Sequence, residues 1–292
     1  MAPDLSPQRR TTDLPVMKPF KMTGAVYDEM YLVRWLAGID LRYVALTLLL
    51  WPGLALAQSA SYGMGDAFEA LWRWVPFLVL QGFLFNILIS VCAMAISTVA
   101  GAALGLGQVS RNGILRRFSW GFTQLFRNSP WLVILFIVLL ALPFEVTLFG
   151  TTIGIPGWVK AVIGLSLPVM ANVSEIVRGA VNSVPSAQWE AAEALSFSRI
   201  QTLWQIILPQ CIKRMIPPWM NWYAILTMAT PLCSLLGVGE VIAYTRQAME
   251  AENNYPELLV PFYGFALVLF FAYCYPIARL TVALEKRYAL KL

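Results

Sequence analysis

The chain has 292 residues, of which 59% are apolar and only 13% are charged, and its formal net charge is +5. Soluble domains carry about 25% charged residues, so this composition argues against a soluble enzyme and favours an integral membrane protein. The sequence has no histidine and no pair of cysteines at C-x-x-C spacing, which excludes histidine-based catalytic triads and gives no sign of a disulfide or zinc framework.

The N-terminal segment does not have the pattern of a secretory signal. A signal peptide places its apolar stretch within about the first 30 residues, whereas here the first long apolar run begins at Tyr43. We therefore predict a cytoplasmic tail with an amphipathic lead-in helix over residues 1–42, the helix occupying 26–42. Residues 43–65 are predicted to form an extra N-terminal transmembrane helix.

Six segments are apolar and long enough to cross a bilayer, which takes about 20 residues. The uncharged stretch from Trp74 to Ser110 would extend about 55 Å as one helix, more than a bilayer core of about 30 Å. We therefore expect a break, with an interfacial helix over 66–80 before the span. The predicted spans are 43–60, 82–107, 130–149, 157–177, 216–242 and 259–282. The predicted fold is an all-α integral membrane protein with six transmembrane helices.

Gly101 and Gly105 form a GxxxG pattern inside the second predicted span. This pattern lets two helices approach closely, and it also arises by chance in apolar helices. We expect a packing contact here, with a functional hinge as the alternative.

Basic residues are distributed unequally between the two sides that six spans would create. Residues 1–42, 108–130, 178–215 and 279–292 carry 18 of the 21 lysines and arginines. Because basic residues are enriched in cytoplasmic loops, we predict that both termini are cytoplasmic. The positive charge then reflects topology and contact with anionic membrane lipid, and no nucleic-acid partner is expected.

The loop 178–215 contains two predicted helices. The first covers 187–195, with Ser186 as its expected N-cap, and it ends at Ser196-Phe197. The second runs from Arg199 to Leu208, begins with the capping box Ser198/Gln201, and is expected to end before Pro209. An exposed helix pair of this kind is either a docking surface for another protein or a pair of helices lying on the lipid surface.

The same loop carries a motif with long, specific spacing. Glu190-Ala191-Ala192 is followed by three residues, Ser196, nine residues and Ile206-Ile207-Leu208-Pro209. This resembles the EAA signature of ABC importer permeases, in which a glycine usually stands where Ser196 is found. Ser174 to Ala180 and Phe126 to Pro130 resemble flanking segments of the polar amino acid uptake family. The resemblance covers about 80–290.

The resemblance implies a type I importer permease with a five-helix core, which we place over 66–292. It implies a second permease subunit, identical or homologous, a dimer of separate ATPase subunits that use ATP and Mg²⁺, and an external solute-binding protein. The chain itself would bind no cofactor and would have no catalytic or metal-binding residues. Its location would be the bacterial plasma (inner) membrane.

The resemblance also points to residues that contact the ATPase. Glu190 is the main candidate, Ala191 and Ala192 would allow close helix approach, and Ser196 would adopt the left-handed conformation of the usual glycine at a cost of about 1 kcal/mol. Arg199 is either a weaker contact or a plain surface charge.

Five polar residues in or near the spans are candidates for the translocation path. Glu175 could contact a cationic solute or form a gate, and it could instead pair with Arg178 at i,i+3. Asn172 lies one helical turn earlier on the same face. Asn128 and Ser129 precede Pro130 and could cap the third span or line the path, and Thr230 lies in the fifth span.

Two other classes of protein were weighed. An intramembrane enzyme needs a nucleophile and a base at span depth, and no such pair is apparent in the sequence. An ion-coupled secondary transporter of a small polar solute is the alternative function, although we find neither buried acid–base pairs nor clear inverted repeats. The chain has no P-loop motif, so any nucleotide would be bound by a partner.

Overall fold

The protein is described by a computed structural model that covers residues 62–148 and 151–288. The predicted N-terminal tail over 1–42 and the predicted first span over 43–60 lie outside these residues. Within them the helices are α1 (Met64–Phe77), α2 (Leu84–Gln108), α3 (Gly113–Arg127), α4 (Trp131–Ala141), α5 (Gly157–Asn182), α6 (Ser186–Ala194), α7 (Arg199–Gln201), α8 (Leu208–Ala229), α9 (Val241–Ala251) and α10 (Leu259–Tyr288). Shorter helical turns are Leu78–Phe83 and Thr202–Ile207, both π-helical, and Thr230–Leu236 and Pro256–Leu258, both 3₁₀.

The first two helices are continuous, so the predicted break between an interfacial helix over 66–80 and a span over 82–107 is wrong. Met64–Gln108 is one helical run of 45 residues, about 68 Å long. Pro76 lies inside it, and the π-helical turn that follows absorbs the disturbed hydrogen bonds, so the chain keeps its helical path. The length argument fails because the helix can extend well past the bilayer core.

The predicted third span over 130–149 is also wrong. Helix α4 has only 11 residues and ends at Ala141, where Leu142 becomes extended before Pro143. The chain then forms an antiparallel hairpin of β1 (Glu145–Leu148) and β2 (Thr151–Gly154), whose register pairs Glu145 with Gly154. The segment before α4 is the helix α3, which meets α4 at an angle of 107°.

Lys160 of α5 holds the end of α4 and the hairpin in place. Its Nζ donates to the carbonyl oxygens of Leu139 (3.3 Å) and Leu142 (2.8 Å) and lies 3.3 Å from the centroid of the Phe144 ring. The residue is 1% exposed. Carbonyls at a helix C-terminus and an aromatic face both attract a cation, which explains how a lysine can be buried here.

Three helices in the described residues are long and apolar enough to cross a membrane: Met64–Gln108, Gly157–Asn182 and Pro256–Tyr288. Two bent pairs pass the same test together, α3 with α4 and Arg199–Leu236 with α9, the second bent by 52°. Residues 62–148 and 151–288 therefore contain three candidate spans, or up to five if each bent pair is one span. The predicted spans 157–177 and 259–282 each fall in one of the long helices, and the count of six stays a prediction.

The main core is centred on α5, which packs against α2, α4 and α8. Gly101 and Gly105 of α2 lie against α5: a Cβ added at Gly105 would come within 2.7 Å of the Ser174 carbonyl and of Val177. The packing interpretation of the GxxxG pattern is thus confirmed. A second apolar cluster joins α1 to α9 and α10 through residues such as Leu71, Met249 and Phe262.

The predicted fifth span over 216–242 lies mostly in a longer helix, Arg199–Leu236, but its predicted end is wrong because it runs past the break at residues 237–240. From Arg199 to Leu236 the chain is continuously helical, so the prediction that a helix ends before Pro209 is wrong. Pro209 stands in the first turn of α8 directly after a π-helical turn, where the missing N–H is tolerated. The helix ends at Gly237, which has φ 75°.

Candidate coupling surface and translocation path

The loop between α5 and α8 contains the two predicted helices. The first is α6, which matches the predicted 187–195 within one residue, but Ser186 is its first helical residue and not its N-cap. Pro185 occupies the cap position and no side chain caps the helix. The N–H of Gln188 in the first turn instead donates to the Pro185 carbonyl (3.1 Å).

Ser196 ends α6 in the left-handed conformation, with φ 61°. The N–H of Phe197 donates to the carbonyl of Ala192 (3.0 Å), closing the turn as a Schellman motif. The prediction that Ser196 adopts the conformation of the usual glycine is therefore confirmed.

The second helix begins at the predicted capping box. The N–H of Ser198 donates to Gln201 Oε1 (2.8 Å), and the N–H of Gln201 donates to Ser198 Oγ (3.4 Å). This box fixes the entry of α7, and the two caps together set the bend between α6 and α7.

Two contacts that the sequence analysis missed connect this region: one packs α6 against the core, and the other joins α8 to α5. Trp189 packs against a cluster that includes Val184, Ile207 and Cys211. Arg214 donates through Nη1 to Ser183 Oγ (2.7 Å) and to the Ser183 carbonyl (3.2 Å), so it joins the start of α8 to the end of α5. Trp189 therefore connects α6 to α8, and Arg214 connects α8 to the end of α5.

We define the coupling surface as the outward side of α6, α7 and the π-helical turn Thr202–Ile207. It exposes Glu190 and Ala191 together with large apolar side chains: Leu195, Ile200 and Trp204 are 72%, 72% and 60% exposed. A surface that exposes large apolar side chains together with a charged residue is suited to docking a protein.

Ala192 and Arg199 face different environments from Glu190. Ala192 is only 2% exposed, so it supports the loop from inside, whereas Ala191 lies outside. The guanidinium of the exposed Arg199 stacks 4.9 Å from the Trp189 ring centroid, which orders this charge at the edge of the coupling surface.

Glu175 is the centre of an ion cluster. Its carboxylate accepts from Arg178 Nη2 (2.7 Å) and Nε (3.2 Å), so the predicted i,i+3 pair is confirmed. Arg127 of α3 lies 3.5 Å away as a second cation, which the sequence analysis missed. One carboxylate between two guanidiniums leaves an excess of positive charge at this point.

The two helices of the ion cluster, α3 and α5, also meet α2 in an uncharged network that includes Ser174, the neighbour of Glu175. Gln108 Nε2 donates to Ser174 Oγ (2.9 Å) and to Thr123 Oγ1 (3.2 Å), and the two hydroxyls are 2.8 Å apart. These bonds connect α2, α3 and α5 at buried positions. They therefore hold in place the two helices, α3 and α5, that carry the ion cluster.

Asn172, Asn128 and Ser129 have local partners. Asn172 is 8% exposed and donates to the Pro168 carbonyl (2.8 Å). The expectation that Asn128 and Ser129 cap the following helix is wrong: Asn128 Nδ2 donates to Gln124 O (2.8 Å) and Ser129 Oγ to Leu125 O (2.6 Å), both in the last turn of α3. The N-cap of α4 is Pro130.

Thr230 belongs to a separate, fully buried network. Asn86 Nδ2 donates to Thr230 Oγ1 (2.8 Å) and to Glu240 Oε2 (2.8 Å), and its Oδ1 accepts from the Val241 N–H (3.0 Å). Glu240 also caps α9 through the Ala243 N–H (2.9 Å). The five path candidates are therefore not brought into one site within this chain. The sequence signal for Asn86 was its position as a lone asparagine in a long apolar run.

Comparison with known proteins shows that this sequence is similar to membrane components of transport systems. Residues 97–289 match the family described as binding-protein-dependent transport system inner membrane component. A probable amino-acid ABC transporter permease of Bacillus subtilis is 33% identical over 211 residues, covering 72% of this chain and 89% of the relative. A putative glutamine transport system permease of Rickettsia conorii is 30% identical over 210 residues, covering 70% and 94%.

Solved structures have the same fold. The crystal structure of an amino acid ABC transporter with histidines superposes with a TM-score of 0.63 at 21% identity, covering 75% of this chain and 98% of that chain. An inward-facing MetNI methionine ABC transporter superposes with a TM-score of 0.58 at 19% identity, covering 74% and 98%.

Proposed function

Because this chain belongs to the family of binding-protein-dependent transport system inner membrane components, we propose that it forms part of a membrane path for a polar amino acid or an amino-acid-like solute. Relatives that carry amino-acid or glutamine permease names support this substrate class. The ion-coupled alternative is set aside, since the matching relatives are ABC transporter permeases.

The observation that carries the proposal is the coupling surface. It follows the long helix α5 and exposes both Glu190 and large apolar side chains. Trp189 packs it against α8, and Arg214 joins α8 to the end of α5. We propose that α6 docks on a separate ATPase subunit, with Glu190 as the main polar contact. ATP and Mg²⁺ would be bound by that partner and not by this chain, which would act as a transport subunit and not as an enzyme.

The mechanism follows from the two attachments. Closure of an ATPase dimer would pull α6, Trp189 would pass the displacement to α8, and Arg214 would pass it from α8 to α5. Two permease chains, identical or homologous, would then rock between inward-open and outward-open forms around a central cavity. An external solute-binding protein would deliver the solute to the outward-open form.

The ion cluster offers one proposed contact along this path. Arg127, Glu175 and Arg178 present a carboxylate and excess positive charge, and amino-acid solutes carry both an ammonium and a carboxylate. Asn172, Asn128, Ser129 and Thr230 are retained as weaker path candidates, because each has a local hydrogen-bond partner.

The proposed location is the bacterial inner membrane, with both termini and the coupling surface in the cytoplasm. This orientation is tested with single cysteines in a variant without the four native cysteines. A cysteine at 190 or 113 should be protected from an impermeant thiol reagent in intact cells, and one at 66 or 252 should react. Reaction at 190 from outside would contradict the arrangement.

The function is tested by co-expressing the chain with its candidate ATPase and binding-protein subunits and reconstituting them in vesicles. We expect ATP-dependent uptake of a labelled amino acid, with competition by a panel of polar amino acids ranking the substrates. ATP-independent uptake driven by an ion gradient would contradict the proposal.

A further inference from the structure

A basic cavity lies beside the coupling surface, where the long helices end. It has a volume of about 770 Å³, and four arginines line it: Arg116, Arg117, Arg178 and Arg199. No acidic side chain is among its lining residues. Arg178 is paired with Glu175, whereas Arg116 and Arg117 have no acidic partner among the residues that the structure describes. A concave site with this charge attracts an anion.

The position of the cavity at the ends of the long helices indicates which class of anion it binds. Its walls come from the C-terminal ends of α2 and α5 and the beginning of α3 and α6. Helix α5 is long and apolar enough to span, and its 26 residues extend about 39 Å, close to the total bilayer thickness of about 40–45 Å. We therefore expect its C-terminal end, and the end of α2 beside it in the cavity wall, at the level of the lipid headgroups. Basic pockets between transmembrane helices on the cytoplasmic side bind anionic lipid headgroups.

Helix α3 offers a surface for the acyl chains of such a lipid. It places Arg116 and Arg117 in the cavity wall, while Ile114, Phe118 and Leu125 are 83%, 64% and 61% exposed. A molecule with a phosphate and long apolar chains therefore fits this helix better than a free phosphate ion does. The arrangement is that of an amphipathic helix at a membrane surface.

A second observation concerns the headgroup. Gln108 lines the cavity and is 5% exposed, and its side-chain oxygen has no hydrogen-bond partner among the described residues. A buried acceptor of this kind is stabilised by a donor, which a phosphate diester alone lacks. A headgroup that carries hydroxyl groups next to its phosphate supplies one.

We propose that this cavity binds one anionic, hydroxyl-bearing phospholipid of the phosphatidylglycerol type, with its phosphate among the arginines. The bound headgroup contacts both Arg178, beside the ion cluster, and Arg199, at the edge of the coupling surface. The lipid thereby joins α3, α5 and the coupling surface at one point. This inference does not depend on which solute crosses the membrane.

The test is a binding titration on the purified full-length chain in neutral detergent. Phosphatidylglycerol bound per chain is counted by native mass spectrometry. The variant R116Q/R117Q should bind about 30-fold more weakly, since each arginine near an anionic lipid surface contributes about 1 kcal/mol. R116K/R117K, which keeps the charge, should retain most of the affinity.

A matched control removes equal charge elsewhere. R279Q/R287Q, at the end of α10 and outside the cavity lining, should bind phosphatidylglycerol like the unmodified chain. Equal losses in both double variants would show general surface attraction and overturn the proposal.

Two further measurements distinguish a lipid headgroup from a free phosphate ion as the bound anion. Inorganic phosphate should fail to displace the lipid, and phosphatidylcholine should not be retained. If phosphate binds as well as the lipid does, the site is for a free anion and the lipid assignment is wrong. If R116Q/R117Q loses ATPase co-purification but keeps lipid, the cavity docks an acidic protein surface and the proposal also fails.

Discussion

The interface between α2 and α5 and the coupling surface are both formed by helices, but the first is closely packed and the second is exposed. At the interface, Gly105 allows a backbone contact so close that even a methyl group would come within 2.7 Å of Ser174 O. On the coupling surface, Ile200 and Trp204 are mostly exposed. The interface is buried within one chain, whereas the coupling surface is exposed. The difference separates residues that stabilise this subunit from residues that we propose contact a partner.

The largest expected effect is on the coupling surface. Glu190→Ala should leave the protein inserted and folded, because Glu190 is exposed and is the fifth residue of α6, beyond its first turn. Loss of a central interface contact costs about 2 kcal/mol or more, so ATPase affinity should fall about 30-fold and uptake should be lost. Co-purification and vesicle uptake measure the two effects.

Two matched variants sharpen this result. Glu193→Ala removes a second exposed carboxylate of α6 and should have a smaller effect on ATPase binding. Ala192→Trp should also abolish uptake, but through distortion of the loop, because Ala192 is buried. If Glu190→Ala keeps full uptake and full ATPase binding, the role of the coupling surface is wrong.

The next effect concerns stability at the interface. Gly105→Ala should lower the free energy of unfolding by about 1–3 kcal/mol, because the added methyl overpacks the contact with α5. Gly179→Ala, in α5 with no atom within 4 Å of the added Cβ, should raise it by about 0.5–1 kcal/mol. Thermal unfolding of the purified variants in detergent would reveal the opposite signs, and equal shifts would contradict the packing argument.

A smaller effect is expected at the ion cluster. Glu175→Gln removes the carboxylate from between two arginines that are 45% and 40% exposed at the side chain, so stability should change by less than about 1 kcal/mol. The added local positive charge should reduce uptake of cationic amino acids relative to acidic ones. An unchanged ratio in competition assays would show that Glu175 only pairs with the arginines.

The smallest effect is expected at the end of α6. Ser196→Gly removes a Cβ from a left-handed residue and should stabilise the loop by up to about 1 kcal/mol. Protease protection of the loop should rise while uptake stays the same. A loss of protection would mean that Ser196 contributes contacts beyond its backbone conformation.

The sequence predicted features that local chemistry determines. The capping box of Ser198 and Gln201, the left-handed Ser196 and the pair of Glu175 with Arg178 all involve neighbours within four residues, so spacing alone is informative. Helices over 157–177 and 259–282 followed from long apolar runs. These features need no knowledge of which helices meet.

The errors arose where distant segments or backbone adjustments decide the outcome. Arg127 reaches Glu175, and Asn86 reaches Glu240, only because separate helices pack together. Prolines caused two opposite errors. A helix was predicted to end before Pro209 but continues through it, because a π-helical turn precedes this residue. A span was predicted to continue through Pro143, but α4 ends just before it. Hydropathy over 130–149 did not reveal where α4 ends, because the entirely apolar sequence of α4 dominates that window.

The π-helical turn Leu78–Phe83 sets the rotational phase of the long first helix. One extra residue in a helical turn rotates everything beyond it by about 100°. That rotation lets α1 face the cluster of Met249 and Phe262 while α2 faces α5. A single-residue deletion in this turn would make the helix regular throughout. It would then rotate the packing face of either α1 or α2 away from the helices that it contacts. Length changes in this helix should therefore be tolerated far less than substitutions on its exposed side.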